Sequence, residues 1–195
     1  SRAGFMNQWQ EIAERIRAVT GMPFTPQAPQ HAGGGCINTT VKLGDAQRSF
    51  FVKLNSASLL WMFEAEADGL SALAASKAIR VPGPVCSGVS GDQAYLVLES
   101  IDMGVGGAGS PAMAGRQLAQ MHRSIQHRFG WFRDNTIGST EQINAEREDW
   151  VEFWREQRLG FQLELAARNG YGGKLQKLGD RLMARFPALI DHGPV

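Results

Sequence analysis

Three glycines, one lysine and one glutamate follow one another in an order that can bind phosphate. Gly33, Gly34 and Gly35 are consecutive, Lys53 sits in "SFFVKLN" and Glu66 in "MFEAEADGL". Successive backbone N–H groups without side chains can approach a phosphate closely, and glycine tolerates the positive φ such a loop needs. A flexible turn between strands is the plain alternative. Neither the Walker A spacing nor a dinucleotide fingerprint is present, because no "GK[ST]" follows and the glycines open a strand instead of a helix. In a strand of period two, Phe51 and Lys53 share one face while Phe50, Val52 and Leu54 share the other. Lys53 is therefore either an exposed edge charge or an inward one. Phe63, Glu66, Leu70 and Leu73 recur at helical spacing, so Glu66 interrupts an apolar stripe, whereas Glu64 lies about 200° away. A buried carboxylate needs a partner, and Lys53 is the nearest cation this topology offers, in a nucleotide site or in a purely structural ion pair.

A glycine loop between strands, then a strand lysine, is the arrangement that covers nucleotide phosphates in protein kinases. "YLVLESIDMG" would then be the hinge, meeting adenine through the Glu99 carbonyl and the Ile101 N–H, or else an ordinary linker. Cys36 adjoins the glycines. It is either a small residue opening a strand or a redox-sensitive thiol close to backbone N–H groups. His122 in "LAQMHR" reads as a packing or hydrogen-bonding helix residue before an acid/base group.

The elements that would position these residues follow from periodicity. "MNQWQEIAERIRAVTG" places Trp9, Ile12, Ile16 and Val19 on one helical face and stops at Gly21, while "SRAGF" before it reads as an expression-tag remnant. Pro23, Pro26 and Pro29 break the chain, and "CINTTVKLGDAQRSFFVKLN" then alternates about a turn at Gly44 and Asp45, a β-hairpin. "LWMFEAEADGLSALAAS" is a helix by composition. "IRVPGPV" leads into a strand, Gly91 and Asp92 turn, and "QAYLVLES" is a buried strand. Beyond the glycine-rich "DMGVGGAGSP" the chain reads as helix and loop, with Leu118, Met121 and Ile125 on one face, an aromatic run from Trp150 to Phe161, and a repeat of Leu175, Leu178 and Leu182. The expectation is an α+β chain in two lobes. Residues 1–100 form a small antiparallel β lobe with one internal helix, 101–110 a hinge, and 111–195 part of a helical lobe.

Composition removes several function classes. The chain has 195 residues, 43% of them hydrophobic, and a net charge of +1. Mixed charge leaves no electrostatic footprint for nucleic acid or an anionic membrane. No apolar run spans a bilayer, Cys36 and Cys86 cannot build a disulfide framework, and the histidines show no zinc spacing, so the reading has no metal site and a reducing cytoplasm.

The stretches "GGGCIN", "FFVKLN", "MFEAEADGL", "RVPGPV", "YLVLES", "GRQLAQMHR", "FGWFRDNTIGST" and "RLGFQLELA" together resemble the fructosamine (ketosamine) kinases, relatives of the aminoglycoside phosphotransferases with a protein-kinase-like two-lobe fold. The resemblance covers nearly all of Met6 to Val195. It implies transfer of the ATP γ-phosphate to a sugar hydroxyl of a ketosamine or glycated amine. It also implies that Gly33, Gly34 and Gly35 cover the phosphates, Lys53 contacts the α and β phosphates, Glu66 orients Lys53, and Glu99 and Ile101 meet adenine. Trp131, Asp134, Asn135 and Thr136 fall in the family-specific segment on the substrate side, although "DNTIGST" also reads as a capped loop held by turn hydrogen bonds of Asp134 and Asn135.

The family's catalytic loop, a His-Gly-Asp motif with the Mg²⁺ ligands after it, is expected beyond Val195; "DHG" at 191–193 has similar letters in another order. The chain itself thus carries no catalytic base, and little turnover is expected of it alone. Apolar surface left uncovered around Leu118 and Met121 predicts self-association, and Cys36 could link copies by a disulfide. A noncatalytic nucleotide-binding module and an aminoglycoside- or choline-type phosphotransferase are the competing readings.

Overall fold

Apolar spacing of three and four makes the first element. α1 runs Arg2–Thr20 and buries Trp9, Ile12, Ala13 and Ile16. Val19, expected on the same stripe, is 49% exposed, because the helix ends there. Gly21 takes φ +67° and returns its N–H to the Arg17 carbonyl at 2.9 Å, the left-handed cap that glycine forms without strain. This computed structural model describes residues 2–33 and 37–190, with side chains from Gln8 onward. Gly34, Gly35, Cys36 and the tripeptide at 191–193 lie outside the described residues. The described chain forms two compact units, Ser1–His122 and Arg123–Val195.

In the first unit the strands are β1 Gln30–His31, β2 Thr39–Gly44, β3 Ser49–Ser56, β4 Pro84–Ser90 and β5 Gln93–Glu99, and α2 is Leu60–Ala75. Among the described residues they form one antiparallel sheet in the order β1-β2-β3-β5-β4. The β2–β3 turn is closed by Asp45, whose Oδ1 accepts the Gln47 and Arg48 N–H groups at 2.8 and 2.7 Å. Alternation divides the sheet. Val41, Leu43, Phe50, Val52, Leu54, Tyr95 and Val97 pack with α1 and Phe24, while Phe63 of α2 packs on Ala94, Leu96, Leu98 and Phe51. With both faces covered, β5 is buried from Ala94 to Leu98, as its unbroken apolar run predicts. α3, Ser110–Met121, is exposed along nearly its whole length, with Leu118 at 45%.

The second unit departs from the sequence reading at one point. A short hairpin, β6 Asn135–Ile137 and β7 Thr140–Gln142, occurs where only helix and loop are expected. Three-residue strands are too short for period two to register, and the turn is marked only by Gly138 at φ +63°. Then come α4 Trp150–Trp154, a π-helical turn Arg155–Gly160, α5 Phe161–Arg168 and α6 Lys174–Arg185. Asp149 caps α4 by accepting the Glu152 N–H at 2.7 Å. Trp154 stacks on Phe186 with ring centroids 4.2 Å apart, and Gly179 lets α6 close on the Leu163 side chain. Leu175, Leu178 and Leu182 of the predicted repeat remain exposed.

Candidate functional site

Lys53 and Glu66 meet. On β3 the buried Val52 and Leu54 face α1, so Lys53 between them points to the opposite side of the sheet. There α2 presents Phe63 to the sheet and Glu66 one turn further on, while Glu64 is exposed. The Lys53 ammonium donates to both Glu66 carboxylate oxygens, at 2.6 and 2.9 Å. The side chains are 19% and 33% exposed, so the pair is neither a rim contact nor sealed in the core. An ammonium has three N–H groups. Donor capacity therefore remains for an anion beside the pair.

Thr40 of β2 stands directly across from Lys53 in the sheet register. It is buried, its hydroxyl donates to the Ala32 carbonyl, and its own carbonyl accepts the Ala32 N–H at 3.1 Å. On the other flank the Asn55 amide donates to Asn38 Oδ1 at 2.7 Å and to the Ile37 carbonyl at 3.2 Å. Ala32 and the Ile37–Asn38 pair are thus each hydrogen-bonded to β2 or β3, the strand that carries Lys53. Gly33 is exposed, with no atom within 4 Å of where a Cβ would stand. The sequence reading missed Thr40 and Asn55, since both look like ordinary strand residues until their hydrogen bonds to Ala32, Ile37 and Asn38 are seen.

Glu99 ends β5 and its side chain is committed elsewhere. Arg80 Nη2 donates to its Oε1 at 2.6 Å, and the Gly83 N–H reaches Oε2 at 3.3 Å. The Arg80 hydrogen bond, then the Gly83 N–H, holds the carboxyl below the usual glutamate range. Ile101 follows, half-buried, in the segment leaving the strand.

The segment from Trp131 to Thr136 is organised by a residue the sequence reading passed over. Asn144 is 2% exposed. Its N–H reaches Asp134 Oδ1 at 2.7 Å, and its carbonyl accepts the Trp131 N–H at 2.9 Å. Its Nδ2 donates to the Arg133 carbonyl at 3.1 Å and to Asn135 Oδ1 at 2.8 Å, and its Oδ1 accepts from Arg158 Nη2 at 2.7 Å. Arg158, in the π-helical turn, also donates to the Ile143 carbonyl at 2.7 Å and lies over the Phe153 ring, 4.7 Å from its centroid. Trp131 is half-buried with its ring 5.1 Å from that of Phe132, and Thr136 is half-buried opposite Glu141. His122 is exposed at the end of α3, its N–H closing the last turn on the Leu118 carbonyl at 3.0 Å. Among the described residues no three His, Cys, Asp or Glu side chains gather as an all-protein metal site would require.

The sequence profile of the family described as "Fructosamine kinase" matches residues 8–194. The chain belongs to this family. A protein named "Probable ketoamine kinase" from Synechocystis is 47% identical over 161 residues, covering 82% of the chain and 55% of the relative. The chloroplastic protein-ribulosamine 3-kinase of Arabidopsis thaliana is 47% identical over 164 residues, covering 82% of the chain and 50% of the relative. The backbone of the present chain superposes on the crystal structure of a candidate fructosamine-3-kinase from Haemophilus somnus with a TM-score of 0.84 at 26% identity, covering 95% of this chain and 63% of that one. The expected α+β, kinase-like fold is therefore the observed one. This fructosamine kinase family chain spans about half the length of the curated relatives it matches.

Proposed function

We propose that the protein is an ATP-dependent kinase that phosphorylates a sugar hydroxyl of ketosamines such as fructosamines and ribulosamines. The observation that carries this reading is the Lys53–Glu66 pair, held on the sheet face in a fructosamine kinase family chain. In it Gly33, Gly34 and Gly35 cover the phosphates, Lys53 meets the α and β phosphates, and Glu66 keeps the ammonium in place. Glu99 and Ile101 offer backbone groups to adenine. Trp131, Asp134, Asn135 and Thr136 serve the sugar side. Residues 1–100 act as the nucleotide lobe, 101–110 as hinge and 111–195 as the helical part.

Phosphoryl transfer is largely positioning and charge neutralisation. The chain's own residues bind and orient the nucleotide, and ATP supplies the transferred group. A metal ion, typical of kinases, would neutralise phosphate charge. Two cysteines among 195 residues fit a reducing compartment such as the cytoplasm; the Arabidopsis relative is named as chloroplastic, and no described helix is long and apolar enough to cross a membrane. Self-association through the α3 surface around Leu118, which is exposed, and Met121, which is half-buried, and a disulfide at Cys36 complete the reading. Light scattering with and without reductant reads both, and a monodisperse monomer in each condition removes them.

The deciding assay is ADP release with the ketosamines fructosyl-lysine and ribulosyl-lysine by the protein expressed from its complete reading frame. Turnover that requires both ATP and the ketosamine supports the reading. Turnover with an aminoglycoside or choline and with no ketosamine overturns it.

A further inference from the structure

Asn144 and Arg158 spend an unusual amount of buried polarity on one short hairpin. Asn144 has its backbone and side-chain polar groups matched, and Arg158 places a guanidinium where desolvation disfavours its charge. Apolar residues of similar volume would leave the Arg133 and Ile143 carbonyls without these donors, so the network fixes the backbone of the hairpin it bonds to. What it holds is the Asp134–Asn135 pair.

Asp134 is exposed and accepts the Asn144 N–H with Oδ1, leaving Oδ2 for another donor. Asn135 Oδ1 accepts two N–H groups, from Gln142 Nε2 at 3.0 Å and Asn144 Nδ2 at 2.8 Å. Two converging donors dictate which end of that amide faces inward, so its NH₂ group is turned away from the network. Consecutive residues thus present a fixed carboxylate acceptor and a fixed amide donor. Neighbouring hydroxyls of a polyol, each both donor and acceptor, are the complementary chemistry.

We infer that Asn144 and Arg158 are positioning residues that hold the Asp134 carboxylate and the Asn135 amide as an acceptor–donor pair for the hydroxyls of the ketosamine sugar. The inference rests on the ketosamine kinase reading above. Neither positioning residue touches substrate. Each acts through the hairpin, Asn144 directly and Arg158 through Asn144 and the Ile143 carbonyl.

The test is steady-state kinetics of the protein from its complete reading frame, with the KM for a free fructosamine and for ATP measured separately beside a thermal melt. Arg158→Lys keeps the charge but replaces a fork that reaches Ile143 and Asn144 together with a single point. The expected result is a fructosamine KM raised about tenfold, the size of one lost hydrogen bond to substrate, with the KM for ATP unchanged. Asn135→Asp keeps the oxygen that faces Gln142 and Asn144 and turns the outward donor into an acceptor, with a negative charge added beside Asp134. It is expected to raise the same KM by a similar factor without lowering the melting temperature, and it decides the matter if Arg158→Lys does not fold. Both KM values rising together, or a fructosamine KM unmoved in Asn135→Asp, overturns the inference while leaving the kinase reading intact. A wild type that phosphorylates no ketosamine overturns both.

Discussion

The Lys53 ammonium reaches both oxygens of Glu66, across the gap between a strand and the helix that follows it in sequence. Period two sets the lysine on one face of β3 and period 3.6 sets the glutamate on the inner face of α2, so neither could shift by one residue without losing the other. Lys53→Met keeps the packing stem and deletes the charge. Glu66 retains access to water at 33% side-chain exposure, so the stability cost should be about 1 kcal/mol. Nucleotide binding should suffer more, by about tenfold to a hundredfold in Kd, the range of one or two charge-assisted hydrogen bonds. Titration with an ATP analogue checks this, and an unchanged Kd would remove Lys53 from the phosphate site.

Glu99 offers a pH signature. Its folded pKa is depressed, first by the Arg80 hydrogen bond and next by the Gly83 N–H. The stabilisation is therefore complete above the ordinary glutamate range and is lost as pH falls through the lowered folded value. Glu99→Gln should melt below the wild type at pH 7, and the gap should close as the melts are taken below about pH 4. Arg80 is 69% exposed, so the gap should also shrink in salt. A gap that widens toward acid would contradict this account.

Cys86 of β4 packs against the core that α1 shares with the sheet. Burial pushes its thiol up to about 11, only partly offset by Arg15. Thiolate is the reactive form, so Cys86 should resist iodoacetamide at pH 8 in the native protein and label readily after denaturation. Peptide mass spectrometry distinguishes it from Cys36. Native labelling of Cys86 at the rate of a free thiol would show that the α1–β4 contact opens in solution.

How far the sequence reaches depends on whether a residue's role is periodic. Lys53, Glu66, the β2–β3 turn at Gly44 and Asp45, and the buried run of β5 were all legible, because each is written in spacing or turn chemistry. Leu118 and Leu178 were legible as apolar stripe residues, yet both are exposed; a stripe states a need for cover and does not say what supplies it. Asn144 and Arg158 were not legible at all. Their bonds join loop residues to a π-helical turn, and hydrogen bonds between such segments leave no period behind. The glycine run was legible as chemistry, but of its three residues only Gly33 is among the described ones.

Two glycines should respond in opposite directions to the same change. Gly130 sits at φ +129°, and a Cβ there would stand 2.7 Å from the Asn144 carbonyl oxygen and 2.9 Å from Glu146 Cα, both backbone atoms. Neither can step aside, because the Trp131 N–H bonds that same carbonyl at 2.9 Å and the neighbouring Phe129–Arg147 bridge carries hydrogen bonds of 2.9 and 2.8 Å. Gly130→Ala should therefore cost about 2–4 kcal/mol, the combined scale of a strained φ and an overpacked contact, and should loosen the Asn144 network with it. Gly115 lies inside α3 with nothing within 4 Å of its Cβ position. Gly115→Ala should be neutral or stabilise by up to about 1 kcal/mol, since alanine is the better helix former. Chemical denaturation of the pair reads the contrast, and equal effects at the two positions would mean that the approach of residue 130 to Asn144 is not the constraint described.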